Sequence, residues 1–165
     1  MTQDELKKRL HYDPASGAFS WLVSKAAWIK PGHPAGYKKN GYTQIRLDGT
    51  LYYAHRLAFL YMVGYIPAAQ VDHINGNPSD NSWANLREAT SQDNVRNCAI
   101  SVNNTSGVTG VVWDKRKAKW MAKITVDYKE KFLGYFDDLN TAAATRKQAE
   151  ALYGFHCNHG RKAHA

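Results

Sequence analysis

Residues Val71–Asn97 read VDHINGNPSDNSWANLREATSQDNVRN, and the reading of the whole chain turns on them. The stretch opens with the pair Asp72-His73, runs through a loop rich in Asn, Gly, Pro and Ser, and returns at Asn85-Leu86-Arg87. Asn-Gly and Asn-Pro are turn signals, so Asn75, Asn77 and Asn81 read first as loop formers. Thr90-Ser-Gln-Asp93 fits a capping box with Asp in place of the usual Glu, which starts a helix near Ser91 and sets Asn94 in its first turns. The segment therefore predicts strand, loop, a short strand around Leu86, then helix.

Such a cluster has a chemistry. Cutting a phosphodiester needs an activated water, a counter-charge for the phosphoryl group and help for the leaving oxygen. A hard divalent ion can supply the last two and takes oxygen ligands. Asp72 offers a carboxylate and Asn94 an amide oxygen. His73, with an unperturbed pKa near ~6.5, suits the role of base at neutral pH. Strand neighbours point to opposite sides, but a bulged strand end can bring Asp72 and His73 to one site. Singly, each residue has an ordinary reading: a strand end, a turn former, a surface helix position. The case rests on their joint register.

That order and spacing resemble the HNH (His-Me finger) nucleases, in the branch of small phage homing endonucleases. The resemblance is close over the central third of the chain and looser on the flanks. It implies a catalytic set of His73, Asp72, Asn94 and Asn85: His73 as general base, Asp72 and Asn94 as metal ligands, and Asn85 as holder of the loop that carries the base. Asn94 stands where the family name promises a second His. The implied ligands are then all oxygens, which favours one magnesium or manganese ion and not zinc. His55-Arg56 matches a His-Arg pair that precedes a helix in these nucleases. The implied role is a phosphate contact, with Arg87 and Arg96 on flanking phosphates; a helix-cap histidine and solvated arginines are the plain alternatives.

Upstream, DELKKRLHY has a helical pattern, Ala18–Val23 reads as a strand, and GYTQIRL and TLYYAHR form a hairpin around Asp48-Gly49. His55–Val63 reads as a helix stopped by Gly64 and Pro67. The loop KPGHPAGYKKNGY carries Lys30, Lys38 and Lys39 and reads as a surface loop able to cross a DNA backbone.

Downstream, strands GVVWD, KWMAKITV and KFLGYF precede an Ala-rich helix, Leu139–Tyr153, capped by Asp138 or Asn140 and ended by Gly154. Gly-Val-x-Trp, Lys-Trp-x-Ala-x-Ile and Leu-Gly-x-Phe with such a helix resemble the Apetala-two (ethylene-response-factor) DNA-binding domain. This implies three antiparallel strands on one helix, with a sheet face that enters the major groove. Trp113, Lys115, Arg116, Lys119, Lys123, Thr125 and Lys131 are the candidates for that face. Phe132, Leu133 and Phe136 read as core. Val112, Asp114 and Glu130 stand near places where the plant proteins commonly have arginine, so the base preference does not carry over.

The expected architecture is α+β: a ββα-metal nuclease domain over 1–97 with its core about 71–97, a linker 98–106, an Apetala-two-like domain 107–154 and a tail 155–165. Lys and Arg number 22 against 14 Asp and Glu, a formal charge of +8, which favours a polyanionic partner. Cys98 and Cys157 are the only cysteines and form no CxxC pair, which argues against a cysteine-built zinc site and a disulfide framework. The charged start MTQDELKKRL is unlike a signal peptide, and the longest apolar run, Leu57–Val63, is far short of the ~20 residues of a membrane span. The expectation is a cytoplasmic protein, in a bacterial host if the chain is phage-encoded. It would be a metal-dependent, homing-type endonuclease acting on double-stranded DNA as a monomer or homodimer. The alternative is a DNA-binding regulator with an inactive nuclease centre.

Overall fold

A computed structural model of the chain describes residues 1–24, 26 and 28–162. The chain divides into two compact units, Met1–Thr90 and Ser91–Ala165. Both are mixed α+β with small antiparallel sheets. Among the described residues no helix is long and apolar enough to cross a membrane.

The first unit opens with helix α1, Gln3–Arg9, started by a complete capping box between Thr2 and Glu5. The helix was expected to run through Tyr12 but stops at Arg9. Leu10 and Tyr12 are instead alternate residues of strand β1, Leu10–Asp13, and both are buried. Period-two burial against strand β2, Ala18–Trp21, outweighs the local helical pattern. Strands β3 (Tyr37–Lys39), β4 (Tyr42–Leu47) and β5 (Thr50–Tyr53) form a meander. The Asp48-Gly49 hairpin appears as expected, with φ of 48° and 80°. A second turn of the same kind, Asn40-Gly41 at 51° and 81°, joins β3 to β4 inside the stretch read as a loop.

Helix α2, Ala54–Val63, buries Leu57, Ala58, Phe59 and Leu60 and ends on left-handed Gly64. Strand β6, Gln70–His73, then pairs antiparallel with β7, Leu86–Ala89, setting Asp72 opposite Arg87 and His73 opposite Leu86. The loop between them rests on the β1–β2 turn. Tyr12 Oη donates to Asn81 O at 2.7 Å, and Trp83 N donates to Pro14 O at 2.9 Å. Gly17 is required there, because a Cβ would lie 2.1 Å from the Asn81 carbonyl carbon.

The second unit begins with helix α3, Ser91–Arg96. Strands β8 (Val111–Asp114), β9 (Lys119–Val126) and β10 (Lys129–Phe136) make the expected three-stranded antiparallel sheet on helix α4, Leu139–Leu152. Val111, Ala122, Ile124 and Val126 face Ala142 and Ala149 of the helix. Asp138 caps α4, accepting from Thr141 N at 2.8 Å.

Residues 155–162, the stretch expected as a tail, close this unit. Gly160 N donates to Cys98 O at 2.9 Å and Ile100 N to Arg161 O at 2.8 Å. His159 is buried and accepts at Nε2 from Arg146 Nη2, 3.2 Å away, while Arg146 Nε donates to Thr109 O at 2.9 Å. Arg146→Ala would leave His159, the Thr109 carbonyl and the buried Glu150 short of partners. A loss of about 3–5 kcal/mol is expected, the usual cost of breaking a buried charged pair, read as a lower urea midpoint by circular dichroism.

Candidate active site and sheet face

His73 ends β6 and is almost wholly buried, 5% exposed. Its Nε2 lies 3.2 Å from Asn81 Oδ1. Asn81 is buried as well and is held through its own carbonyl by Tyr12. Burial pushes the His73 pKa below the ordinary histidine value, against the raising effects of the Asn81 hydrogen bond and of Asp72 and Asp80. His73 is thus neutral at pH 7. With its one N–H on Nε2 donating to Asn81, the basic lone pair sits on Nδ1.

The loop behind His73 is braced by one side chain. Asn85 Oδ1 accepts from Asn75 N at 2.9 Å, and Asn85 Nδ2 donates to Asp80 O at 2.8 Å. Asp80 in turn accepts from Asn75 Nδ2 at 2.7 Å and from the Ser82 hydroxyl at 2.7 Å. These bonds, led by the Ser82 hydroxyl, lower the Asp80 pKa. Asn77 and Asn75 fold the loop locally through Ser79 N and Asn77 N. Ser79 Oγ donates to Gly41 O at 2.8 Å, which ties the Asn40-Gly41 turn, flanked by Lys38 and Lys39, to the loop.

Asp72 precedes His73, with its side chain 14% exposed. Its Oδ2 accepts from Arg87 Nη2 at 2.8 Å and Nε at 3.1 Å, across the β6–β7 pair. Arg87 therefore orients the carboxylate. Arg56 is likewise committed, donating to the carbonyls of Pro67 and Ala69 and fastening α2 to the approach of β6. His55, in the first turn of α2, is 7% exposed and its ring centroid lies 5.1 Å from that of His73. Tyr53 stacks on it at 5.4 Å and Tyr42 lies 5.7 Å away. Its Nδ1 is buried without a hydrogen-bond partner. Burial first, then the charges of His73 and Arg56, push its pKa down to about 3.

The model of the HNH endonuclease family matches residues 52–96, from β5 through α3. Protein 3.8 of Escherichia phage T7 is 32% identical over 84 residues, covering 51% of this chain and 69% of that protein. The chain belongs to the HNH endonuclease family. No solved structure matches it.

HNH nucleases act on DNA and typically use a divalent metal ion. Among the described residues no group of three or more His, Cys, Asp or Glu is placed to hold one. The matched segment holds carboxylates, those of Asp72, Asp80, Glu88 and Asp93, together with asparagine amide oxygens. That mixture suits magnesium and is unlike a zinc cage. Asn94 lies on α3, in the second unit.

In the second unit, Arg96 pairs with Asp127 at 3.8 Å and lies over the Phe155 ring. The strand register sorts the residues expected on one sheet face. Lys119, Lys123 and Thr125 alternate with buried Ala122, Ile124 and Val126 and so point away from α4. Trp113 pairs with Trp120, which packs on the helix-side core. Lys131 pairs with buried Ile124, and its Nζ reaches Tyr153 Oη at 3.2 Å. Both lie on the helix side of the sheet. Lys115 and Arg116 occupy the β8–β9 turn, whose backbone N–H groups Asp114 accepts.

Sequence reasoning missed Asn81 as the partner of His73 and Tyr42 and Tyr53 as neighbours of His55. Asn81 is one of several Asn in a loop, and nothing in spacing separates it from the rest. The two buried histidines of this site, His55 and His73, carry a pH consequence. Their folded pKa values lie below the unfolded one, so protons bind the unfolded chain first as pH falls. Stability should be full above pH ~6.5 and decline below it, by up to about 1.4 kcal/mol per pH unit for each such group. His55→Phe should flatten this decline between the unfolded histidine pKa and about 3, as measured by chemical denaturation at stepped pH.

Proposed function

We propose that the chain is a metal-dependent DNA endonuclease in which His73 is the general base and Asp72 a ligand of one magnesium or manganese ion. The observation that carries this reading is His73 itself: buried, neutral, and held through Nε2 by Asn81 within the segment that the HNH family model matches. Asn94 joins Asp72 as ligand on its place in the sequence motif alone. When bound, the ion supplies counter-charge to the phosphoryl oxygens and to the leaving oxygen.

The other steps belong to the chain. The attacking water gives its proton to Nδ1 of His73, and the imidazolium formed keeps its Nε2–H on Asn81. Asn85 braces the loop so that this nitrogen keeps its aim. Arg87 presents the Asp72 carboxylate in one orientation. A solvated histidine would have to be ordered in each turnover; a braced one is already placed.

The second unit supports a DNA-anchoring role, in keeping with the Apetala-two-like reading of residues 107–154. Its open sheet face carries Lys119, Lys123 and Thr125, with Lys115 and Arg116 at the adjoining turn. Residues 1–97 would form the nuclease domain and 98–106 the connection. A homing role follows from the resemblance to small phage homing endonucleases.

Single-turnover nicking of supercoiled plasmid in magnesium tests the base. His73→Ala should lose on the order of 10²–10⁴-fold in rate while still binding DNA. Wild type should lose activity on the acid side only below the ordinary histidine range, because imidazolium accepts no second proton. A His73→Ala enzyme with a near-normal rate and an unchanged pH profile would overturn the assignment.

A further inference from the structure

The open face of the β8–β9–β10 sheet differs from the basic surface its lysines suggest. Lys119 Nζ sits 2.9 Å from Asp137 Oδ1, and Lys123 Nζ sits 2.7 Å from Glu130 Oε2. Lys117 lies over the Tyr135 ring at 4.0 Å. Between the two ion pairs and this cation–π contact runs a mostly apolar row in direct register. Val112 of β8 pairs with Met121 of β9, which pairs with Tyr135 of β10.

Phe132 adjoins that row. Strict alternation would send Phe132 and Tyr135, three residues apart, to opposite faces. The register shifts between Phe132 and Gly134, and the extra residue, Leu133, turns into the core. Phe132, expected as core, pairs with Lys123 and so stands on the open face, 59% exposed, and the bulge brings Tyr135 to the same face, its ring 5.0 Å away. Val112 is 39% exposed. A phenylalanine so exposed forgoes most of the burial free energy that a core position would give it.

Resting on the reading that this sheet face engages duplex DNA, we infer that Phe132, with Met121 and Val112, recognises thymine through its 5-methyl group in the major groove. The surroundings fit a nucleic-acid partner. Residues 91–165 carry twelve Lys and Arg against seven Asp and Glu, and Lys115, Arg116 and Lys117 rim one end of the row. Positive charge at the rim can hold phosphates, while Val112, Met121 and Phe132 carry no hydrogen-bond donor, the Tyr135 hydroxyl donates to Asp114 Oδ2 at 3.3 Å and the Lys123 ammonium is paired with Glu130. In the major groove the exposed apolar group of the bases is the thymine methyl.

The test uses the full chain in chelator, so that binding is read without cleavage. Short duplexes with a random core are selected by the chain, and the best binder is remade with deoxyuridine for thymidine, which removes only the methyl groups. Wild type should bind the uracil duplex about fourfold more weakly for each methyl contacted. Phe132→Ala should bind both duplexes alike, with an unchanged melting temperature. Equal affinity of wild type for the two duplexes overturns the inference and leaves duplex binding standing, as does an unchanged thymine preference in Phe132→Ala. Preference for single strands overturns it too, pointing to stacking on the aromatic pair. Failure of wild type to bind duplex at all defeats the DNA reading of this face. The base analogue leaves the protein untouched, so the wild-type comparison decides even if the variant folds poorly.

Discussion

The side-chain amide of Asn85 is the constraint on which the site depends. Between β6 and β7 the chain must cross a polar loop whose backbone groups are partly withdrawn from water. Each such group needs a partner, since an unmade bond there costs about 1–3 kcal/mol. Asn85 serves both ends of the loop at once, accepting from Asn75 N and donating to Asp80 O. Asp80 and Asn75 complete the closure, and Asn81 is left at the position where its amide oxygen meets His73. An aspartate could accept at the first contact but not donate at the second, so the residue type follows from the geometry.

Around that loop the first unit stacks several supports that have no chemistry of their own. Tyr12 holds Asn81 from below, Gly17 lets the β1–β2 turn approach, Ser79 fastens the Asn40-Gly41 turn, and Arg56 ties α2 to β6. Two imidazoles and two phenol rings then cluster at the end of β6. Keeping both imidazoles uncharged follows from packing them against one another with little water, and a neutral imidazole is the form that the proposed base role of His73 requires.

Much of this was legible in the sequence where a local rule is strong. Asp48-Gly49 specified its hairpin because both residues tolerate positive φ. Strand β9 of the second unit alternates, and of the two cap candidates Asp138 is the one that caps α4. Elsewhere the deciding force was not local. Leu10 and Tyr12 left a helical pattern because two buried side chains on one strand face outweighed it. β3 was hidden because Tyr37, Lys38 and Lys39 are all exposed and show no alternation. Phe132 looked like core because hydrophobicity says nothing of its register opposite Lys123 on the open side. Of the residues proposed for the site, Asp72 and His73 stood out as neighbours in sequence, though the β6–β7 register runs without the bulge expected there. Asn81 did not, because its partner is chosen by a loop closure that only three-dimensional packing defines.

The second unit keeps its two sheet faces on separate side chains of the same strands. Ala122, Ile124 and Val126 belong to the packed side, while Met121, Lys123 and Thr125 belong to the open side. Exchanging an open-side residue alters the surface and leaves the packing intact, and such changes usually move stability by no more than about 0.5 kcal/mol. Selection for folding and selection for what the surface touches therefore act on interleaved but different codons. A lineage of such chains can drift from one partner surface to another in single steps, each of which still folds.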